Sequence, residues 1–114
     1  MRYDVVIIGA GAAGFACALT LGSANDKFDW AKDKKYLILD DNKSDLNVGK
    51  YFNVAGVDSG INSIDLLLKM KKQLEIYKDV ELKNEKATKI ENLGEYFKIT
   101  TDSSTFEASI IVLA

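Results

Sequence analysis

The sequence predicts an α/β fold in which a parallel sheet wound by helices is joined to a three-stranded antiparallel β-meander. Three observations predict it. Positions 5–22, VVIIGAGAAGFACALTLG, set a β-branched apolar run before three closely spaced glycines and a small-residue run of helical length. Positions 36–40, YLILD, form a second apolar run closed by an acid. Positions 86–109 hold KATKIENL, EYFKITTD and STFEAS, three short stretches of near-alternating polarity separated by turn residues.

The totals set the frame. A chain of 114 residues suits one domain and can bury a real core. It is 47% hydrophobic and 28% charged, with a net charge of −2. Its lysines are mixed with acids, which predicts a solvated exterior and argues against nucleic acid as a partner, since that needs a basic face. The one cysteine, Cys17, excludes an internal disulfide and predicts a reducing, cytoplasmic setting. There is no histidine, which excludes histidine acid–base chemistry and most zinc sites. No metal site is expected.

Each element follows in turn. Tyr3 to Ile8 reads as a strand buried on both faces. Val5 to Leu21 is also an uncharged run near the lower length limit for a membrane span. Asp4 at its head, the three glycines and the lack of a second basic flank argue against a membrane or signal segment. The alternative uses every residue of G-A-G-A-A-G. Gly9 permits the tight turn out of the strand, Gly11 lets a pyrophosphate approach the backbone, and Gly14 lets the helix pack closely on the strand. Ala12 and Ala13 keep the approach clear. The helix, Ala12 to Leu21, then presents its unpaired amides and positive end to the phosphates. This is a Rossmann-like, dinucleotide-binding βαβ pattern.

The polar stretch 23–35, SANDKFDWAKDKK, reads as an inserted loop or a lengthened helix end. Phe28 and Trp30 within it are expected to cover that helix end, in preference to anchoring an interface. Tyr36 to Leu39 is the second strand. Asp40 at its tip would accept hydrogen bonds from the ribose hydroxyls of an adenosine. Asp41 follows with no arginine near, so a 2′-phosphate would be repelled, which favours FAD or NAD over NADP. Positions 41–51 read as a polar surface loop. Asn53, Gly56 and Gly60 mark turns before a helix capped by Asn62 or Ser63. Leu67, Met70, Leu74 and Tyr77 give that helix its apolar face. Val80 to Leu82 is a short third strand. The meander follows, turning at Gly94 and at Asp102 to Ser104, and Ile110 to Leu113 reads as a buried parallel strand. The chain stops at Ala114, at the carboxyl end of that strand, where an open α/β sheet places its ligand. Residues 1–114 are therefore expected to be the first part of a longer protein.

In this order, the strand–GAGAAG–helix unit, YLILD, NVAG with Gly60 before a helix, the meander and IIVLA resemble the N-terminal FAD-binding part of the thioredoxin-reductase-like pyridine nucleotide–disulfide oxidoreductases. The resemblance spans nearly the whole chain except 23–35. It implies that Gly9, Ala10, Gly11, Ala12, Ala13 and Gly14 meet the FAD pyrophosphate. It implies Asp40, with Asp41 beside it, at the adenosine ribose, and the backbone of Ala87 at the adenine. Asn53 would stand near the flavin, in a segment where Ala55 replaces the family's proline. Ala114 would be the first residue of the family's Ala-Thr-Gly segment. The Cys-x-x-Cys pair and the NADPH domain of the reductases are not among these residues, and Cys17, a small hydrophobe on the helix, does not replace the pair.

The expected function is the FAD-binding portion of a flavin-dependent oxidoreductase. Electrons would pass from NAD(P)H, bound outside this segment, through FAD to an acceptor. No residue is nominated as catalytic. Two alternatives stand beside it: an NAD-binding Rossmann domain of a dehydrogenase, which the meander argues against, and a non-catalytic nucleotide-binding or assembly module. A homodimer is compatible with each.

Overall fold

A strand that is apolar at every position needs cover on both faces, and here the helices supply one and the meander the other. The structure, a computed structural model, describes residues 2–43 and 49–114, so the centre of the loop expected at 41–51 lies outside the described residues. The elements are β1 (Arg2–Ile8), α1 (Ala12–Lys27), a 3-10 turn (Asp29–Ala31), β2 (Tyr36–Leu39), β3 (Lys50–Tyr51), β4 (Ile61–Asn62), α2 (Ser63–Leu74), β5 (Val80–Lys83), β6 (Ala87–Asn92), β7 (Phe97–Thr101) and β8 (Thr105–Leu113).

Six strands form one sheet in the order β5-β2-β1-β8-β7-β6, and β3 pairs with β4 in a separate ribbon. β5, β2, β1 and β8 run parallel, while β6, β7 and β8 are antiparallel. Alternate residues of the central strands serve opposite faces. Val5, Ile7 and Ile38 pack with Phe15 and Ala18 of α1 and Leu74 of α2. Val6, Leu37 and Leu39 pack with Ile99 of β7 and Ala108 of β8. No helix among the described residues is long and apolar enough to cross a membrane.

The third strand of the meander and the last parallel strand are one element. β8 is continuous: Thr105 to Ala108 pair with β7, and Glu107 to Leu113 pair with β1. Its pattern changes from alternating to wholly apolar where its partner changes. The burial expected for Ile110 to Leu113 is not found, since Ile110 is 56% and Leu113 74% exposed. β7 begins opposite Ala108, so beyond that residue β8 pairs on one edge only among the described residues.

Of the two readings of the 23–35 stretch, the lengthened helix end is found: α1 runs on to Lys27 and the 3-10 turn follows. Two further expectations are corrected in detail. Phe28 and Trp30 do not cover the helix end. They are 51% and 72% exposed and stack on each other with ring centres 5.7 Å apart, while Ala31 is the residue buried there. On α2, Leu66 is buried as well as Leu74, with Leu67 and Met70 partly covered, so the buried face is wider than the spacing of 67, 70 and 74 implied. The helix cap is as expected: the Asn62 side chain accepts a hydrogen bond from the Asp65 amide at 2.9 Å.

The amino ends of the parallel strands are tied by a polar knot. The buried Asn25 of α1 donates to the Lys34 carbonyl (2.9 Å) and to Asp79 (3.1 Å), and accepts from the Tyr36 hydroxyl (2.8 Å). Lys35 pairs with Asp79, and the hydrogen bonds from Lys35 and then Asn25 hold that carboxyl below its ordinary range. Removing Asn25 would strand the buried Tyr36 hydroxyl. Asn25→Ala is expected to lower the unfolding free energy by about 1–3 kcal/mol in a urea titration. Tyr3 gives a second expectation. Burial first, then Glu81, which accepts its hydrogen bond at 3.1 Å, pushes its phenol up to about 12. A raised acid pKa in the folded state leaves stability intact below the ordinary tyrosine value of about 10 and removes it as pH climbs through 10 to 12. Stability measured across that window is expected to fall less in Tyr3→Phe than in the unaltered chain.

Candidate functional site

β1 ends at Ile8 and α1 begins at Ala12, so the chain must reverse within three residues. Gly9 makes the turn with φ +109°, a region that costs side-chain-bearing residues heavily. A Cβ there would collide with the carbonyl of Ala114, approaching its carbon to 3.3 Å. A Cβ on Gly14 would overlap the Gly9 carbonyl, at 2.9 Å from its carbon, and touch Ile38 at 3.5 Å. The first turn of α1 therefore rests directly on the backbone it has just left. Gly11 differs. It is the N-cap, with φ −87° and ψ −163°, a backbone that any residue adopts. Its glycine has no conformational cause.

The helix start is bare. Gly11 offers no capping side chain, and the first turn carries no acid. Phe15 makes its bond to the Gly11 carbonyl at 3.0 Å, so the amides of Ala12, Ala13 and Gly14 precede the intrahelical ladder. Their partial positive charge faces a cleft of about 530 Å³. The cleft lies at the carboxyl ends of β1, β2 and β8, the end of an open α/β sheet at which ligands bind.

Gly9, Ala10, Gly11, Ala12, Ala13, Gly14, Asp40, Asp41, Ala87 and Ala114 all line this cleft. Asp40 is almost fully buried at the tip of β2. Its amide donates to the Lys83 carbonyl (3.0 Å), and its carboxylate accepts from the Asn42 amide (2.9 Å). Asp41 is exposed beside it and accepts from the Lys43 amide at 3.0 Å. Ala87 opens β6 on the far wall. Ala114 donates its amide to the Ile8 carbonyl (2.9 Å), which brings it to the rim. Asn53 is not brought in; it is exposed on the connection between β3 and β4.

Sequence reasoning missed Lys43, Glu85 and Lys86, which also line the cleft. No arginine stands near Asp40 and Asp41, but Lys43 stands two residues on and Lys86 adjoins Ala87. A 2′-phosphate in this cleft would therefore meet two cations as well as the acids. Among the described residues, no group of three or more histidine, cysteine, aspartate or glutamate side chains could hold a metal ion. Cys17 is partly buried against the helix-side core.

With this geometry in view, the relationships to known proteins take shape. No family model matches the chain, and no curated protein sequence does. Solved structures do. A thioredoxin reductase from Gloeobacter violaceus is 26% identical, with TM-score 0.83, over 98% of this chain and 36% of that one. A Lactococcus lactis thioredoxin reductase is 30% identical, with TM-score 0.82, over 98% and 35%. A thioredoxin reductase from Streptococcus pyogenes is 29% identical, with TM-score 0.81, over 98% and 34%. The chain has the fold of a thioredoxin-reductase-like portion and spans about a third of the length of these structures. The resemblance carried by the motifs is borne out.

The packing at Gly14 has a direct consequence. Gly14→Ala must separate α1 from the β1 turn, and a loss of about 1–3 kcal/mol is expected in chemical denaturation, against the small gain an alanine ordinarily brings to a helix.

Proposed function

We propose that the chain is the FAD-binding portion of a flavin-dependent oxidoreductase, in which electrons pass from NAD(P)H through the flavin to an acceptor. The observation that carries this reading is the bare start of α1. Amides without intrahelical acceptors, above a glycine turn with no side chains in the way, face a cleft with a buried carboxylate at the neighbouring strand tip. That donor set fits an adenosine diphosphate group. Backbone N–H groups suit the diphosphate, and a carboxylate suits a ribose diol. The likeness to thioredoxin reductases supports an oxidoreductase kind.

On this reading Gly9 through Gly14 hold the pyrophosphate, and Asp40 accepts hydrogen bonds from the ribose, with Asp41 beside it. The backbone of Ala87 borders the adenine, and Ala114 closes the rim. Asn53 acts near the flavin from outside the cleft. When bound, the flavin supplies the redox chemistry. The residues of this chain position it and shield its phosphates; none is assigned as an acid, base or nucleophile. NAD(P)H would bind beyond this segment.

Gly11 provides the test. Aspartate is a good N-cap and suits the positive end of a helix, so Gly11→Asp should keep the thermal stability of the chain or raise it. It also sets a negative charge where the pyrophosphate would lie. In titrations followed by flavin absorbance and fluorescence, the unaltered chain is expected to bind FAD saturably and more tightly than NAD. Gly11→Asp is expected to bind FAD at least about tenfold more weakly. No flavin binding by the unaltered chain, or equal binding by the variant, would refute the proposal.

A further inference from the structure

The wall of the cleft that faces the glycine turn is built from Glu85, Lys86 and Ala87, and its anchorage lies in the β7–β8 turn. The Lys86 amide donates to the Asp102 carboxylate (3.3 Å), and the Lys86 carbonyl accepts from the Asp102 amide (3.1 Å). Lys86 is thus pinned by one residue through both of its backbone polar groups. Beside it, Glu85 accepts the Thr101 hydroxyl at 2.6 Å. Thr101 is itself buried, and its oxygen takes the amides of Ser103 (3.1 Å) and Ser104 (2.8 Å).

The charges of the cleft give the lysine a task. Asp40, Asp41 and Glu85 line it together with Lys43 and Lys86, so its side chains carry one more negative charge than positive. A diphosphate brought to the amides of α1 meets this excess. Of the two cations, Lys43 is placed by a local turn closed on Asp41, whereas Lys86 is tied to a strand pair of the main sheet. Resting on the nucleotide reading of the cleft, we infer that Lys86 is an anion-contacting residue that draws the phosphate groups of the ligand against the acids of the cleft, and that Asp102 is the residue that positions it. Lys86 makes its contribution to the phosphate and none to the nucleoside. It is exposed, so its side chain is free to follow the ligand and its loss leaves the core untouched.

Calorimetric titration with ADP and with adenosine, at low and at high salt, tests this. Lys86→Gln is expected to weaken ADP about fivefold at low salt, in line with an exposed ion pair, to leave adenosine unchanged, and to match the unaltered chain at high salt. Asp102→Ala, which removes the acceptor of the Lys86 amide, is expected to weaken ADP by a similar factor. Asp102→Asn, which keeps an acceptor oxygen, is expected to restore it. If Lys86→Gln binds ADP as the unaltered chain does, or loses adenosine to the same degree, the assignment of Lys86 falls while the nucleotide reading stands. If Asp102→Asn fails to restore ADP binding, the positioning role of Asp102 falls. If the unaltered chain binds neither ADP nor adenosine, the nucleotide reading falls and the assignment of Lys86 with it.

Discussion

The first turn of α1 rests on the carbonyl of Gly9 with no room for a side chain between them. This contact governs much else in the molecule. It sets the helix against the strand that feeds it, so the uncovered amides of Ala12 to Gly14 are held over the carboxyl ends of the parallel strands. It also packs the turn against Ala114, at the end of β8, through the same absence of side chains at Gly9. A helix displaced by a methyl group or more would carry its positive end away from the cleft and open the seam between β1 and its neighbours.

The two ends of the parallel sheet are built for different purposes. At the amino ends, Asn25, Tyr36, Lys35 and Asp79 satisfy one another, and no polar side-chain atom that is fully buried lacks a partner among the described residues. At the carboxyl ends, helix amides precede the ladder, no side chain caps them, and carboxylates stand beside them. A fold that neutralises its polar groups at one end and leaves donors bare at the other has concentrated its binding capacity in a single place. The β7–β8 turn extends that place: Thr101 and Asp102 lie in the antiparallel part of the sheet yet hold a wall of the cleft formed by the parallel part.

Local chemistry in the sequence made the first half of this legible. G-A-G-A-A-G shows its turn, its approach and its packing contact in six residues, and the lack of room for a Cβ at Gly9 and Gly14 matches two of those roles. YLILD shows a doubly covered strand with an acid at its tip, because both faces of the run are apolar. Features that arise from convergence were harder to read. Glu85 and Lys86 look like ordinary polar residues between strands, and only the fold brings them opposite the glycine turn. β8 carries two patterns in one strand, because each part follows its neighbours. Phe28 and Trp30 read as cover for a helix end, but the 3-10 turn buries Ala31 in that place. Leu66 escaped because α2 buries a broader face than one stripe.

The central claim is that the bare amides of α1 grip a diphosphate. Amide-resolved NMR of the chain during an ADP titration tests it most directly. The account predicts saturable shifts at Gly11, Ala12, Ala13 and Gly14, with Asp40 and Ala87 following the same binding curve and Asn25 and Lys35 at the far end unmoved. Saturable shifts confined to α2 or to the far end of the sheet, with the four helix-start amides unmoved, would contradict it.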